Sequence, residues 1–491
     1  MLALIILDGW GTSHEREGNA PALARTPTLL HLSKHYLYGH LTASGPAVGL
    51  KGVEPASSEL GHTTLGAGRV LQDPWQFKKR FQDGALLKSR TLSSALQHVI
   101  KNGGQLHLMG LTEPGEAPGQ ILKSLIEWAG RSKVKATHLH MVLDGHDSGP
   151  FEGRRYLKEL KRYLDGMAGV HLSSCTGRAH FLNPSGQAGL TRLLVEALTQ
   201  EKGVRAEDPE TYLEGCYRRG LADDEIKPTC LSGTKGEGVR IRESDALILF
   251  SPGKTLEVSH LAKALPGKIR IVHLFKDETP LKTGWAFELE PLATNLGELV
   301  SEAKLSQIRL AETLKSRQVS FYLNGGRANP YPREDRVFIP SQDHVRHERN
   351  PALSAHAVTR AALKAIRLRR YELVVLNYAN GDIVGHTGDL KAAIQAVETV
   401  DACLAKVLAC LSAAGGDVVI TSDHGNCECM RTRDGRPFRA HTSNDVPFYI
   451  ASFRRNLRLQ RNQGSLTDIA PTVLELLGMP KPGVMTGSSL I

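Results

Sequence analysis

Aromatic residues are scarce, at 5% of 491 positions. A groove that stacks nucleic-acid bases needs aromatic side chains among its basic ones. Here the basic residues are spread out, apart from one short cluster at 367–370 (RLRR), which reads as a solvated helix face. The net charge of +10 therefore gives no reason to expect a nucleic-acid partner. Long apolar runs are missing as well. None approaches the roughly 20 residues that cross a bilayer. The opening stretch LALIILDG is short and has no basic start, so neither a signal peptide nor a membrane association is expected. Cysteine is sparse: there are seven, an odd number, and only Cys427 and Cys429 lie close together. The odd count shows no disulfide framework, a Cys-x-Cys zinc half-site at 427 and 429 would lack a second cysteine pair, and free thiols in a reducing cytoplasm are expected.

What remains is ordinary globular sequence, 41% hydrophobic and too long for one core, so two domains are expected. The middle of the chain has its own strand–helix alternation. Strand-like runs occur at 105–111, 138–143, 245–250 and 268–274, and helix-like runs at 121–128 and 156–164. A long amphipathic helix is predicted over 390–411. Residues 1–75 offer one strand and a serine-bearing loop, too little for a domain of their own.

Chemistry gathers at the ends of the apolar runs. DVVITSDHGN is a β-branched run closing on Asp423 and His424. LALIILDGWG closes on Asp8, and ELVVLNYA is followed by Asp382 and His386. His441 precedes the strand-like VPFYIA. Open α/β sheets bind ligands beyond their strand ends. Three aspartates and three histidines make a mixed oxygen and nitrogen set, enough to begin two metal shells but not to close them. Ser58, in ASSELGH, is the candidate nucleophile, since a serine hydroxyl becomes reactive when a base or a metal activates it. The same two serines would also serve to cap a short helix.

The chain resembles the cofactor-independent (2,3-bisphosphoglycerate-independent) phosphoglycerate mutases of the alkaline phosphatase-like superfamily. The resemblance rests on LIILDGWG, SSELGHTTLGAGR, IRLAETLKSRQVSFYLNGG, LNYANGDIVGHTG, ITSDHGNCE, AHTSNDVPF and LTDIAPTVLELLGMPKPGVMTGSSLI, found in family order at both chain ends. It implies an α/β fold with a discontinuous metal-binding domain, 1–75 with 296–491, and a second α/β substrate domain, 76–295, inserted into it. It implies two divalent ions, manganese for preference. Asp8, Ser58, Asp423 and His424 would hold one, and Asp382, His386 and His441 the other. Ser58 would carry the phosphoryl group between carbons 2 and 3 of glycerate, with Lys315 beside it. A cytoplasmic monomer acting on a small phosphorylated substrate is expected.

The middle of the chain departs from that family. Asp147, Arg178 and Lys254 remain as substrate-binding candidates, with Lys315 at the phosphoryl end. By the same resemblance, His146 and Pro184 stand at arginine positions, Ala117 at a histidine, and Ser251 and Lys254 at two more arginines. A guanidinium grips a carboxylate with two parallel bonds and a lysine does not. Two alternatives follow: a metal-dependent phosphotransferase or phosphomonoesterase on another phosphate ester, and a non-catalytic relative.

Overall fold

A computed structural model describes residues 1–71, 85–111, 116–146, 148–182, 188–231, 239–251, 255–276, 283–288, 290–342 and 347–491. Asp147, Pro184 and Lys254 lie outside the described residues, as does the side chain of Ala117. The chain divides into two compact units, Met1–Pro74 with Glu290–Ile491, and Trp75–Leu289.

The discontinuous unit is built on an eight-stranded sheet. Its strands run in the order Glu334–Ile339, Gln307–Glu312, Leu373–Tyr378, Leu2–Leu7, Asp417–Thr421, Val446–Ser452, Leu37–Thr42 and Gln463–Ser465. Val446–Ser452 runs antiparallel to both neighbours, and the other pairings are parallel. Leu2–Leu7 lies near the centre because all six of its side chains are apolar. Ala3, Ile5 and Leu7 enter the core on one face, and Leu2, Leu4 and Ile6 the core on the other. That is the pattern of a parallel strand covered on both faces. Each enclosed Leu or Ile contributes about 1.5–3 kcal/mol. One face is covered by the helices Ala355–Leu368 and Leu390–Ala413. Asp389 caps the second of these by accepting the Ala392 N–H at 3.0 Å, and Ala393, Val397, Val400, Leu404, Val407 and Leu411 form its buried stripe. The other face carries Ser58–Ala67, Leu296–Glu302 and Ile469–Leu476.

Residues 1–71 hold more structure than their sequence suggests. Leu37–Thr42 is a further strand of the sheet, and Ala20–Leu23, Pro27–His35 and Ser58–Ala67 are helices. The strand reads LYGHLT, with a glycine and a histidine inside it. Gly39 fits because a Cβ there would lie 2.1 Å from the Asn462 carbonyl oxygen.

The Trp75–Leu289 unit has its own eight-stranded sheet, centred on Ala246–Leu249, Leu106–Leu111, Thr137–Leu143 and Val170–Gly177. A ladder of imidazoles crosses it. His107 Nδ1 lies 2.9 Å from His140 Nε2, and His140 Nδ1 2.7 Å from Ser174 Oγ. His138 Nδ1 lies 2.9 Å from Ser173 Oγ.

Burial lowers the pKa of all three histidines. His138 falls to about 3, His140 lies well below the ordinary value, and His107 is lowered even though Asp245 opposes the shift. An unfolded chain takes up protons there from about pH 6.5 downward while the folded chain does not. Stability should therefore fall as pH drops below about 6.5, with each histidine adding up to about 1.4 kcal/mol per pH unit. Urea midpoints from pH 7 to 5 measure this. His138→Gln should flatten the slope by one proton, and an unchanged slope would refute the assignment.

Candidate active site

Four neighbouring parallel strands point their carboxyl ends to one edge of the larger unit's sheet, and each delivers a candidate residue there. Asp8 directly follows Leu2–Leu7, and Asp423 and His424 follow Asp417–Thr421. Lys315 ends a single turn of 3-10 helix after Gln307–Glu312. Leu373–Tyr378 leads into the short helix Asn380–Gly385. Asp382 is therefore helical rather than at a strand end, and its i, i+4 spacing brings His386 Nε2 to 3.0 Å from Asp382 Oδ1. His441 arrives at the same edge because Val446–Ser452, which it precedes, runs in the opposite direction. Gly9 lets the loops close up: its φ is +70°, and a Cβ there would lie 2.6 Å from Asp382 Cα.

Ser58 is the first residue of the helix Ser58–Ala67, not part of a loop. The capping role falls to Ser57, whose Oγ accepts the Leu60 N–H at 3.3 Å. Ser58 is thereby free to turn inward. Its Oγ lies 2.8 Å from His424 Nε2 and 2.9 Å from Lys315 Nζ. Lys315 also donates to Asp8 Oδ1 and Asp382 Oδ2, both at 2.6 Å.

The structure thus brings together Asp8, Ser58, Lys315, Asp382, His386, Asp423, His424 and His441. Among the described residues, three sets of potential ligands have their atoms within 4.8 Å of one another: Asp382, His386 and His441; Asp8, Asp382 and His424; and Asp8, His62 and Asp423. Cys427 and Cys429 belong to none of them.

The electrostatics call for a cation. Three enclosed carboxylates face one ammonium, which leaves two negative charges when the imidazoles are neutral. Burial would lower the Lys315 pKa, but Asp382, Asp8 and Asp423 raise it well above the usual lysine range, so it stays charged. Burial raises the Asp8 pKa, helped by Asp423 and opposed by Lys315. Burial acts the same way on Asp382, yet Lys315 and His386 take it well below the ordinary value. The imidazoles point lone pairs inward. Nδ1 of His386, His441 and His424 faces the carbonyl oxygens of Arg439, Ala56 and Gly425, at 2.6, 3.1 and 3.3 Å. With Nδ1–H donating there, each neutral ring aims Nε2 at Asp382 Oδ1, at 3.0, 3.3 and 3.9 Å. Among the described residues, the buried Asp382 Oδ1 accepts no hydrogen bond, and Asp423 Oδ2 faces the imidazole nitrogens of His62 and His424 at 3.1 and 3.2 Å. Converging lone pairs with no proton between them suit divalent ions.

Three residues of this centre went unnoticed in the sequence. His62 Nδ1 lies 3.1 Å from Asp423 Oδ2. Asn377 Nδ2 donates to Asp8 Oδ2 at 2.8 Å and to His62 Nε2 at 3.1 Å. Glu428 lies behind the Asp423–His424 loop. His62 carried a signal, four residues after Ser58 on a helix and so on the same face. The other two lie beside recognisable ligands with nothing to mark them.

The substrate candidates belong to the other unit. Arg178 opens the helix Arg178–Phe181 and pairs with the buried Asp144. His146 Nε2 lies 3.3 Å from Asp224 Oδ2, and Ser251 Oγ accepts the Leu111 N–H at 3.0 Å.

Comparison with known proteins adds to this geometry. The metalloenzyme superfamily matches residues 1–481. A 2,3-bisphosphoglycerate-independent phosphoglycerate mutase of Moorella thermoacetica is 36% identical over 507 residues, covering 100% of this chain and 98% of the relative. One of Desulforudis audaxviator is 37% identical over 511 residues, covering 100% and 99%. Leishmania mexicana phosphoglycerate mutase, solved at low cobalt concentration, superposes with a TM-score of 0.83 at 24% identity, covering 99% of this chain and 97% of that one.

Metal binding should release protons. Burial opposes protonation of His424, but Asp423, Asp382 and Asp8 raise its pKa above the ordinary 6.5. The metal-free ring therefore takes up protons already above pH 6.5, and affinity should decline as pH falls from 7.5 to 6. Calorimetric metal titration in buffers of different ionisation enthalpy counts the protons. A count of zero at pH 7 together with a flat affinity would refute this.

Proposed function

Since the chain belongs to the metalloenzyme superfamily and, within it, to the 2,3-bisphosphoglycerate-independent phosphoglycerate mutases, we propose that Ser58 carries the phosphoryl group at a centre of two divalent ions, manganese by preference. The activity is the interconversion of 3-phosphoglycerate and 2-phosphoglycerate, a step of glycolysis and gluconeogenesis. Another phosphate ester is not favoured, because the match to phosphoglycerate mutases at 36–37% identity covers the whole chain.

The observation that carries this mechanism is the position of Ser58 Oγ, between His424 Nε2 and Lys315 Nζ and beside the aspartates. Asp8, Ser58, Asp423 and His424 would hold one ion, and Asp382, His386 and His441 the other. Bound there, the ions lower the pKa of the serine hydroxyl and neutralise phosphoryl oxygens. Carboxylate oxygen with imidazole nitrogen suits manganese, and zinc or cobalt can occupy the same set.

Ser58 Oγ gives up its proton and attacks phosphorus as the P–O bond of the substrate's ester breaks, and the departing oxygen takes up one proton and leaves as a glycerate hydroxyl. The other hydroxyl of the retained glycerate then attacks the phosphoserine and frees Ser58. The first turn of the helix Ser58–Ala67 favours negative charge on Oγ through its N-terminal dipole. Lys315 stays protonated and stabilises the same oxygen and the phosphoryl group in flight. Arg178 would bind the substrate carboxylate, exchanging or sharing its bond to Asp144, with Asp147 orienting hydroxyls and Lys254 adding charge. Water must be kept out while the phosphoserine exists, or the product is free phosphate. A cytoplasmic location fits seven cysteines that are all free. No helix is long and apolar enough to cross a membrane among the described residues. A monomer is the proposed state.

Ser58→Ala should abolish turnover and phosphoenzyme formation. Ser57→Ala should keep the chemistry and cost about 0.5–2 kcal/mol of stability through the lost cap. Peptide mapping of trapped phosphoenzyme decides between them, and label on Ser57 would overturn the assignment. Arg178→Ala should raise KM for 3-phosphoglycerate about 10- to 150-fold, the worth of a charge-assisted bond of about 1.5–3 kcal/mol. It should also raise hydrolysis relative to mutase turnover, followed by phosphorus NMR. Arg178→Lys keeps a charge beside Asp144 and controls for misfolding there. Unchanged KM in both variants would remove Arg178 from the pocket.

A further inference from the structure

Glu428 takes no part in the chemistry above, yet it is enclosed, at 1% exposure. It forms no ion pair among the described residues. Its oxygens are filled by neutral donors from three loops. Oε2 accepts the N–H of Gly11 at 3.0 Å and of Asn426 at 2.8 Å. Oε1 accepts the Thr442 hydroxyl and Asn444 Nδ2, the latter at 2.9 Å. A carboxylate offers about four lone-pair sites, so these four donors fill it. The chain makes room for it: a Cβ on Gly11 would lie 2.3 Å from Glu428 Cδ, and one on Gly425 2.6 Å from Oε1.

Each donor neighbours a residue of the metal centre. Gly11 is three residues after Asp8, Asn426 two after His424, and Thr442 next to His441. The Thr442 N–H also donates to the Gly425 carbonyl at 3.0 Å. Asn426 extends the connection, Nδ2 donating at 3.5 Å to the same Arg439 carbonyl that receives His386 Nδ1–H.

We propose that Glu428 is a positioning residue, a carboxylate staple that holds the Asp8, His424 and His441 loops together and so couples the shells of both ions. The proposal rests on the ligand assignment above. Without the staple, the loop at Gly11 and the two loops at Asn426 and Thr442 keep their own conformations but lose their mutual register, and four buried donors lose their acceptor.

The test is Mn2+ binding to chelator-stripped protein, by calorimetry and electron paramagnetic resonance, for wild type, Glu428→Gln and Thr442→Val. Glutamine keeps the shape of the side chain but turns an amide N–H2 toward donors. Glu428→Gln should keep the far-UV circular dichroism and lose about 10- to 100-fold in Mn2+ affinity, the range for residues that orient metal ligands. Its kcat should recover as Mn2+ is raised, with KM for 3-phosphoglycerate near wild type, which a packing defect would not produce. Thr442→Val removes one of the four donors and should lose several-fold. A folded Glu428→Gln with wild-type Mn2+ affinity overturns the staple alone. Should that variant fail to fold, wild-type affinity in Thr442→Val overturns it. A wild type that binds no Mn2+ overturns the metal assignment and the staple with it.

Discussion

Asp8, Asp382 and Asp423 are enclosed in the larger unit, and much of that unit can be traced to the need to compensate their charge. Carboxylates cannot be left bare in a protein interior, since the desolvation cost amounts to several kcal/mol per ion. Lys315 answers part of it with direct bonds to Asp8 and Asp382. The neutral imidazoles, each fixed by a backbone carbonyl on its far side, aim lone pairs at the same centre and leave the rest of the charge in place. What is left over is negative, and that residue of charge is what a divalent cation finds. The site is therefore costly in the absence of its ions and stabilised in their presence, and the strongly apolar sheet supplies the rigidity that holds it open to them.

The metal half of the site was legible because its residues stand next to the elements that carry them. A β-branched run ending in Asp423–His424 states both the strand and the candidate ligand in ten letters. Asp8 was legible for the same reason. Asp382 was found but misplaced: the apolar run before it ends at Tyr378, and the three residues between leave room for the helical turn that sets His386 beside it. Ser58 was found in the wrong kind of element, because a Ser-Ser pair before Glu and Leu is compatible with a loop or a cap. Leu37–Thr42 was missed because its glycine and histidine hide a strand whose neighbour, Val446–Ser452, lies some 400 residues away in sequence. His62 was marked only by its spacing from Ser58, and Asn377 and Glu428 contact candidate ligands or their loops across the fold, where one sequence holds no mark of such contacts.

The substrate half was hard for a different reason. An arginine that binds a carboxylate is chosen by geometry across folded loops, not by periodicity, so its loss or displacement cannot be read from spacing. The sequence suggested a weakened clamp and kept open another phosphate ester. Full-length identity to phosphoglycerate mutases favours the first substrate, and the pairing of Arg178 with Asp144 shows that the surviving guanidinium is already anchored.

The central position of Leu2–Leu7 has a consequence for how the protein is made. This strand pairs with Leu373–Tyr378 on one side and Asp417–Thr421 on the other. Ribosomes add about 5–20 residues per second, so LALIIL waits roughly 20–80 s for its second partner to be synthesised. The Trp75–Leu289 unit contains all the strands of its own sheet and can close during that interval. Until Asp417–Thr421 emerges, one of the most apolar segments in the molecule has at least one bare edge in a crowded cell, the kind of segment that chaperones bind. The arrangement that gathers the candidate ligands at one sheet edge thus leaves a segment made long before its second partner among the last to be sheltered.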